Sequence, residues 1–547
     1  MKLSTFAFVA LATTIGFASS VRATPKVNDA DVKRALEDEM ARSLKELKLG
    51  SEAPPYFLRY VVADADRYWV SARLGALVDE DAQPSRALHI ELRVGSPEED
   101  NTNFIGSSPG GSATVSRDAD YDVIRRDLWQ LNDHEYKQAL EAFARKRASK
   151  AVQTADKDKT PDFSKAPTIN VVKNNAVVPT DADRAKLKDM TLKLSNVFRD
   201  FPKVDSGRVG ASADVTRRRV LTSEKTWTDE RNSRVRIDVY ADTIAEDGQH
   251  LDASTSFTAH DIGSLPSYEK MEAEVKALAK NLSDQRTAPQ VGAGSAAVLF
   301  EGQAAPQLVR LLLSGAFSGQ PIPKSPGGMA HDGTFSFSEK IGLQVAPKWL
   351  SLIDDPTATG PGKRILAGTY ATDDEGVAAE KVTLIDQGIA KGLLMSRAPR
   401  KDWPKSNGHG RGAGNVRAAS SNLFLNVAGG QSRAELLATA ARAAGPKGTV
   451  YIVKQLEGGG RSTLSARLAV KWKDGKEEPV RSLSLEGFVP KKIKKDLLAA
   501  GREPFVLEDY SGAVVSPALL FEDVDVGKPN DKQRTPPLYP SPLSGGK

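Results

Sequence analysis

Residues 297–317 read AVLFEGQAAPQLVRLLLSGAF, and the order of apolar and polar positions in this stretch sets the frame for the whole chain. Ala297, Val298, Leu299 and Phe300 make an apolar run of strand length. Behind the turn-like Glu301-Gly302-Gln303, the residues Leu308, Leu311 and Leu312 return at helical spacing. A strand that feeds a helix leaves Glu301 at the junction. The plainest role for a carboxylate there is to sit near the positive end of the helix dipole.

Toward the C-terminus the pattern is mostly strand-like. Turn signals at Asp386-Gln387-Gly388 and Asp474-Gly475 separate runs such as Lys381 to Ile385 and Leu464 to Lys473. One helix is signposted by a capping box, Ser432 and Glu435, ahead of Leu436, Leu437 and Ala440, with Gly445 as its stop. Residues 527–547 carry five prolines and read as an extended tail.

Toward the N-terminus, the small residues Ala288 to Ser295 suggest a domain boundary. Before them come a helix marked by Met271, Val275, Leu278 and Leu282, and a strand region from Arg217 to Asp261 whose Asp247-Gly248 suits a hairpin. Ala144 to Pro167 is rich in Lys, Asp, Thr and Ala and reads as a solvated connector. Tyr121, Ile124, Leu128 and Leu131, continuing to Phe143, predict a helix. Three strand-like runs precede it, Tyr56 to Val62, Tyr68 to Leu74 and Leu88 to Val94, with polar turns between them. Val32, Leu36, Met40, Leu44 and Leu47 predict a first helix ending near Gly50. The fold class is α+β: an N-terminal α/β region over 24–290, then a mostly-β domain over 291–526.

The first 23 residues have the layout of an export signal, with Lys2, an apolar core from Phe6 to Ala18 and the small-residue site Val21-Arg22-Ala23. That core is shorter than the roughly 20 residues a membrane helix needs. No cysteine is present, so disulfides, thiol nucleophiles and thiolate metal ligands are excluded. Export without disulfides suits a bacterial periplasm or exterior. The 76 basic and 70 acidic residues nearly cancel and alternate along the chain, and no basic stripe is interleaved with aromatics, which argues against nucleic-acid binding.

Of the six histidines, no two are three to five residues apart, so no helix presents a local metal-binding pair. His134-Glu135 begins like H-E-x-x-H, but the closing position is Gln138. Gly106 to Gly110 fits G-x-S-x-G without the buried strand and helix that an elbow needs, and the following Gly110-Gly111-Ser112 reads as more loop. The run Gly408 to Gly414 offers backbone N–H groups to an anion, aided by Arg411, on what reads as a mobile surface loop; His409, exposed there, is a candidate for touching substrate. Asp354-Asp355 and Asp373-Asp374-Glu375 suit turns better than a metal or acid–base pair, given Pro356 and Gly376 beside them.

Residues 297–317 resemble the metal-site segment of the TldD/PmbA metalloprotease family, whose catalytic members carry H-E-x-x-x-H there. Further matches follow in order: Asp354-Asp355-Pro356, Asp373-Asp374-Glu375-Gly376, Ser421-Asn422-Leu423 and Val514 to Leu520, with looser ones at Pro54-Pro55-Tyr56, Arg93-Val94-Gly95 and Asp120-Tyr121. The resemblance implies an α/β N-terminal domain, a barrel-like C-terminal domain, and dimers enclosing a cavity where unfolded peptides are cut. It also implies a zinc site of two histidines and a cysteine, with the glutamate as base. Here Phe300 and Ala305 stand at the histidine positions, and only Glu301 remains.

The expected function is therefore that of an exported, non-catalytic family member resembling the PmbA (TldE) branch, without zinc, as a homodimer or paired with a catalytic TldD-like chain. Glu301 is the residual catalytic candidate; His409 and Arg411 are the substrate-binding candidates. Two alternatives are a hydrolase that assembles Glu301, His331 and His409, and an exported protein that binds peptides without cutting them.

Overall fold

The computed structural model describes residues 29–151, 159–325, 335–446, 448–458, 462–530, 534–539 and 541–544. The expected export signal and His331 lie outside them. Among the described residues no helix is long and apolar enough to cross a membrane.

The N-terminal half is built on a seven-stranded sheet. Its order runs from the edge strand Gly110–Val115 through Ala76–Arg93, Phe57–Arg73 and Ser206–Thr222 to Trp227–Ile244. The outer edge of that last strand is shared by Asn170–Asn174 and His250–Ala259. Side chains alternate across a strand, so the even-numbered positions of Phe57–Arg73 face one way. Leu58, Tyr60 and Val62 pack under helices Asp29–Glu46 and Tyr121–Ala151, while Tyr68 and Val70 pack under helices Asp181–Asn196 and Tyr268–Gln285. Between these two apolar cores the same face carries Asp64, buried against Arg86 and Arg219.

That ion cluster corrects one expectation. The runs Tyr56 to Val62 and Tyr68 to Leu74 are one strand, Phe57–Arg73, because Asp64 and Arg67 are not turn residues but halves of cross-strand pairs, the latter with Asp214. The connector expected at 144–167 is also shorter. The helix continues to Ala151, and Lys146 is buried, donating to the carbonyls of Asp100 and Thr102 and pairing with Asp162. Phe163 packs on Phe57 with ring centroids 4.7 Å apart. Gly110-Gly111-Ser112 lies in the edge strand paired with residues 89–91, not in a loop.

The C-terminal half holds an eleven-stranded sheet, part of which closes on itself. Strand Gly294–Phe300 pairs on one side with Val450–Gly458 and on the other with Gly512–Gly527. The ring Gly294–Phe300, Val450–Gly458, Leu464–Lys473, Leu483–Leu485, Gly512–Gly527 is a five-stranded barrel. Val298 and Phe300 point inward; Ala297 and Leu299 point outward beneath helix Arg433–Ala444, which carries both halves of the expected capping box and ends at Gly445 with φ +69°. The expected turns are present at Gln387-Gly388 (φ +45° and +81°) and Asp474-Gly475 (φ +49° and +82°), a backbone twist that suits two-residue hairpins. Helix Ala304–Leu313 buries Leu308, Val309, Leu312 and Leu313; Leu311, expected on the packed face, is exposed.

The helix-free face of the N-terminal sheet meets the C-terminal half through arginines. Arg59 donates to the carbonyls of Asp374 and Ala413, Arg218 to that of Thr372, Arg234 to that of Ala367 and Arg236 to that of Glu508. Apart from Glu508, which lies in strand Leu497–Asp509, the accepting residues lie in irregular segments, so their carbonyls need partners from elsewhere, and guanidinium forks supply them.

Candidate functional site

Phe300 ends its strand inside the barrel. Its ring meets those of Phe488 and Phe521 edge-on, at centroid separations of 5.5 and 5.7 Å, and its side chain is fully buried. Ala305, also fully buried, lies in the same apolar cluster. Glu301 leaves that core. Gly302 turns the chain at φ +61°, and Glu301 reaches a cavity of about 490 Å³ shared with Thr255, Glu274, Gln303 and Lys454.

Glu301 does not stand free in this cavity. Arg433 grips its carboxylate with two hydrogen bonds, of 2.8 and 3.1 Å, and also donates to Glu477 at 2.6 Å; Lys454 donates to the other oxygen of Glu477 at 2.6 Å. Donating to Glu301, more than any other contact, holds the Arg433 guanidinium above its ordinary pKa. Two carboxylates and two cations alternate here, so Glu301 and Glu477 are each already matched by a cation.

The residues at this segment do not fit the zinc that the resemblance implies. Such a site needs three protein nitrogen, sulfur or oxygen donors around one point. Here two of the three family positions offer a phenyl ring and a methyl group to an apolar core, the chain has no thiolate, and Glu301 is committed to Arg433.

The second candidate region differs from expectation most. Gly408 to Gly414 is not a mobile surface loop but a tightly threaded segment with a small hairpin pairing Gly410-Arg411 with Arg417-Ala418. A Cβ on Gly408 would lie 2.2 Å from the carbonyl oxygen of Ala378, and one on Gly410 would lie 2.3 Å from Glu375 Oε2 and 3.0 Å from Asp373 Oδ2. The glycines are there for close approach. The run does cradle anions, but they are the protein's own: the N–H of Gly410 donates to Asp373 at 2.9 Å and that of Gly412 to Asp374 at 2.7 Å. Asp373 also accepts from the N–H groups of Glu375 and Val377, the turn use expected of it.

His409 is buried, not exposed. Its Nε2 lies 3.2 Å from Asp354 Oδ1, and its Nδ1 lies 3.0 Å from both oxygens of Asn407. Both members of the His409–Asp354 pair are fully enclosed, so the imidazole reaches no solvent and no substrate in this arrangement. Glu301 and His409 are not brought together. Arg411 does line a cavity, of about 480 Å³, between the N-terminal sheet and the C-terminal half.

The carboxylates under this segment are strongly perturbed. Burial, then Asp373 and Glu91, push the Glu375 carboxyl up to about 8, and burial raises Asp373 as well. Burial likewise opposes charge on Glu91, yet Arg93 and Arg59 hold it down at about 2. Sequence reasoning missed this layer because its members, from Arg59 to Arg397, are far apart in the chain. The only local signal was an unusual density of carboxylates beside glycines.

These features define a mixed α/β protein whose second half closes into a small barrel, with a charged layer joining the halves. A model of the PmbA/TldA metallopeptidase C-terminal domain matches residues 293–528. A stretch of 92 residues, 16% of this chain, is 36% identical to the metalloprotease MJ0996 of Methanocaldococcus jannaschii; it spans only 19% of that relative. TldE from Thermococcus kodakarensis shares the fold at a TM-score of 0.61 and 16% identity, covering 90% of this chain and 100% of that one. A proposed modulator of a DNA gyrase from Thermotoga maritima does so at 0.64 and 14%, covering 90% and 99%. A similar protein from Bacteroides thetaiotaomicron does so at 0.58 and 14%, covering 92% and 99%. Residues 293–528 thus match the C-terminal domain of the PmbA/TldA metallopeptidases, and nine-tenths of the chain shares the fold of TldE and the gyrase-modulator structures.

Proposed function

We propose that this chain is an exported, non-catalytic member of the family, which pairs with a metal-binding TldD-like chain and shapes the cavity in which unfolded peptides are handled. The observation that carries the reading is the fate of residues 300–305. Phe300 and Ala305 complete an apolar core, and Glu301 is neutralised by Arg433. A carboxylate whose two oxygens are both taken up by one guanidinium is poorly placed to act as a general base, because neither is free to accept a proton from water. The likeness to TldE supports the branch assignment, and the sequence layout of residues 1–23 supports export.

The test is metal analysis and peptide degradation by the purified chain, followed by a native pull-down from the source organism. The expected result is less than one-tenth of a zinc per chain, no chelator-sensitive cleavage of an unfolded peptide by the chain alone, and co-purification of a zinc-bearing partner that does cleave. Stoichiometric zinc with autonomous, chelator-sensitive cleavage would overturn the proposal. Peptide binding with no cleavage, even when the co-purifying proteins are added back, would favour the peptide-binding reading instead.

A further inference from the structure

The cavity that contains Arg411 lies against the helix-free face of the N-terminal sheet, between Arg218 and Arg234 on that sheet and Tyr370, Arg411 and Tyr510 from the C-terminal half. Its carboxylates are all engaged. Glu230 accepts from the N–H groups of Ala371 and Thr372, the Thr372 hydroxyl and Arg218. Asp374 accepts from the N–H of Gly412 and pairs with Arg218. Asp64 is held by Arg86 and Arg219, Asp214 by Arg67, and Glu508 by Arg364.

The cations are less completely matched: Arg218 and Arg411 share Asp374, and among the described residues Arg234 has no ion pair. The hydrogen bond of Arg234 goes to the neutral carbonyl of Ala367 at 3.0 Å. Arg411 stacks 4.3 Å from the centre of the Tyr370 ring, and its Nη1, 3.5 Å from Asp374, is enclosed without a hydrogen-bond partner. Arg218 Nε is enclosed and unpartnered as well. Arg411 is felt by its neighbour: burial first, and then the charge of Arg411, push Arg218 down to about 10.

We propose that this cavity binds a carboxylate, held by Arg234 and Arg411 with Tyr370 and Tyr510 as its apolar walls. Spare guanidinium donors in a partly desolvated site recognise a planar anion through charge-assisted hydrogen bonds. A singly charged planar group suits the open donors of Arg234 and Arg411, whereas a phosphate dianion would bring a second charge toward the five carboxylates of the lining. A volume of about 480 Å³ is within the usual range for ligand sites and admits either the end of a peptide or a small free carboxylate. Binding here requires neither a metal nor a partner chain, so it survives or fails independently of the pairing proposed above.

The experiment is calorimetric titration of the full chain with an N-acetylated hexapeptide as the free acid, the same peptide as its C-terminal amide, succinate, and inorganic phosphate. The free acid is expected to bind at least about tenfold tighter than the amide, the worth of one charge-assisted contact. Arg234→Gln and Arg411→Gln, each checked for native circular dichroism, should abolish that preference. If one variant fails to fold, the other decides. Succinate that competes as well as the peptide acid supports the site and assigns it to free carboxylates; succinate that does not compete assigns it to peptide termini. Equal binding of acid and amide without succinate binding, a preference that persists in the folded variants, or phosphate outcompeting both carboxylates would overturn the proposal.

Discussion

The barrel interior around Phe300 and the layer beneath Gly408 to Gly414 are equally dry and built in opposite ways. The first excludes water with carbon: the rings of Phe300, Phe488 and Phe521 interlock within a cluster of buried apolar side chains. The second excludes water with charge: Arg59, Glu91, Arg93, Asp373, Glu375 and Arg397 are all more than nine-tenths buried. An apolar core loses stability in proportion to the volume removed, whereas a buried ionic layer fails when one partner is lost or changes protonation. The two regions should therefore respond to different insults.

The largest effect is expected in the barrel. Phe300→Ala removes a ring that cannot be replaced by collapse of its aromatic neighbours, and should cost about 3–5 kcal/mol in reversible denaturant unfolding. A loss under about 1 kcal/mol would mean that the barrel interior is loosely packed and that the contrast between the regions is false.

A smaller, pH-dependent effect should separate the charged layer. The Glu375 carboxyl is raised to about 8 in the folded chain, above its ordinary 4.5. Its native environment favours the protonated form, so its contribution is fully present below pH 4.5 and is lost as the pH rises toward 8. Stability should fall across that window by up to about 1.4 kcal/mol per pH unit. Glu375→Gln, which keeps the shape without the ionisation, should flatten the slope and melt higher than the parent at pH 8. Parallel stability curves for the two proteins from pH 5 to 8 would show that Glu375 does not titrate in this range. Phe300→Ala should leave the slope as it is.

The smallest effect belongs to the shelf outside the barrel. Arg433 is half exposed, so removing it with Arg433→Ala should cost no more than about 1 kcal/mol despite its three hydrogen bonds. Glu301 then loses its bidentate partner. A change in melting temperature comparable with that of Phe300→Ala would place Arg433 among the buried ion pairs and blur the distinction drawn here.

The parts of the fold that were legible share a physical basis. Periodic apolar positions, as in Met271, Val275, Leu278 and Leu282, and local turn or cap chemistry, as at Asp474-Gly475 and Ser432 with Glu435, act over a few residues and leave their mark in adjacent letters. The illegible parts were polar residues read as loops. Asp64 and Arg67 lie mid-strand, Lys146 lies in a buried stretch of helix, and His409 is enclosed, each because its counter-charge or polar partner comes from another strand or segment. Hydrophobic pattern cannot report a charge that is neutralised from a distance.

By itself the sequence determined that this protein has no thiol chemistry, that phenyl and methyl groups stand where the family places two imidazoles, and that a strand, a glycine turn and a helix surround Glu301. Only the tertiary structure decided that those groups face a closed apolar barrel, that Arg433 occupies Glu301, and that the glycine run wraps the protein's own carboxylates. Composition and local periodicity are properties of neighbouring residues. The pairing of a carboxylate with a guanidinium or an N–H group scores of positions away is settled only when the chain has folded and water has been removed from between them.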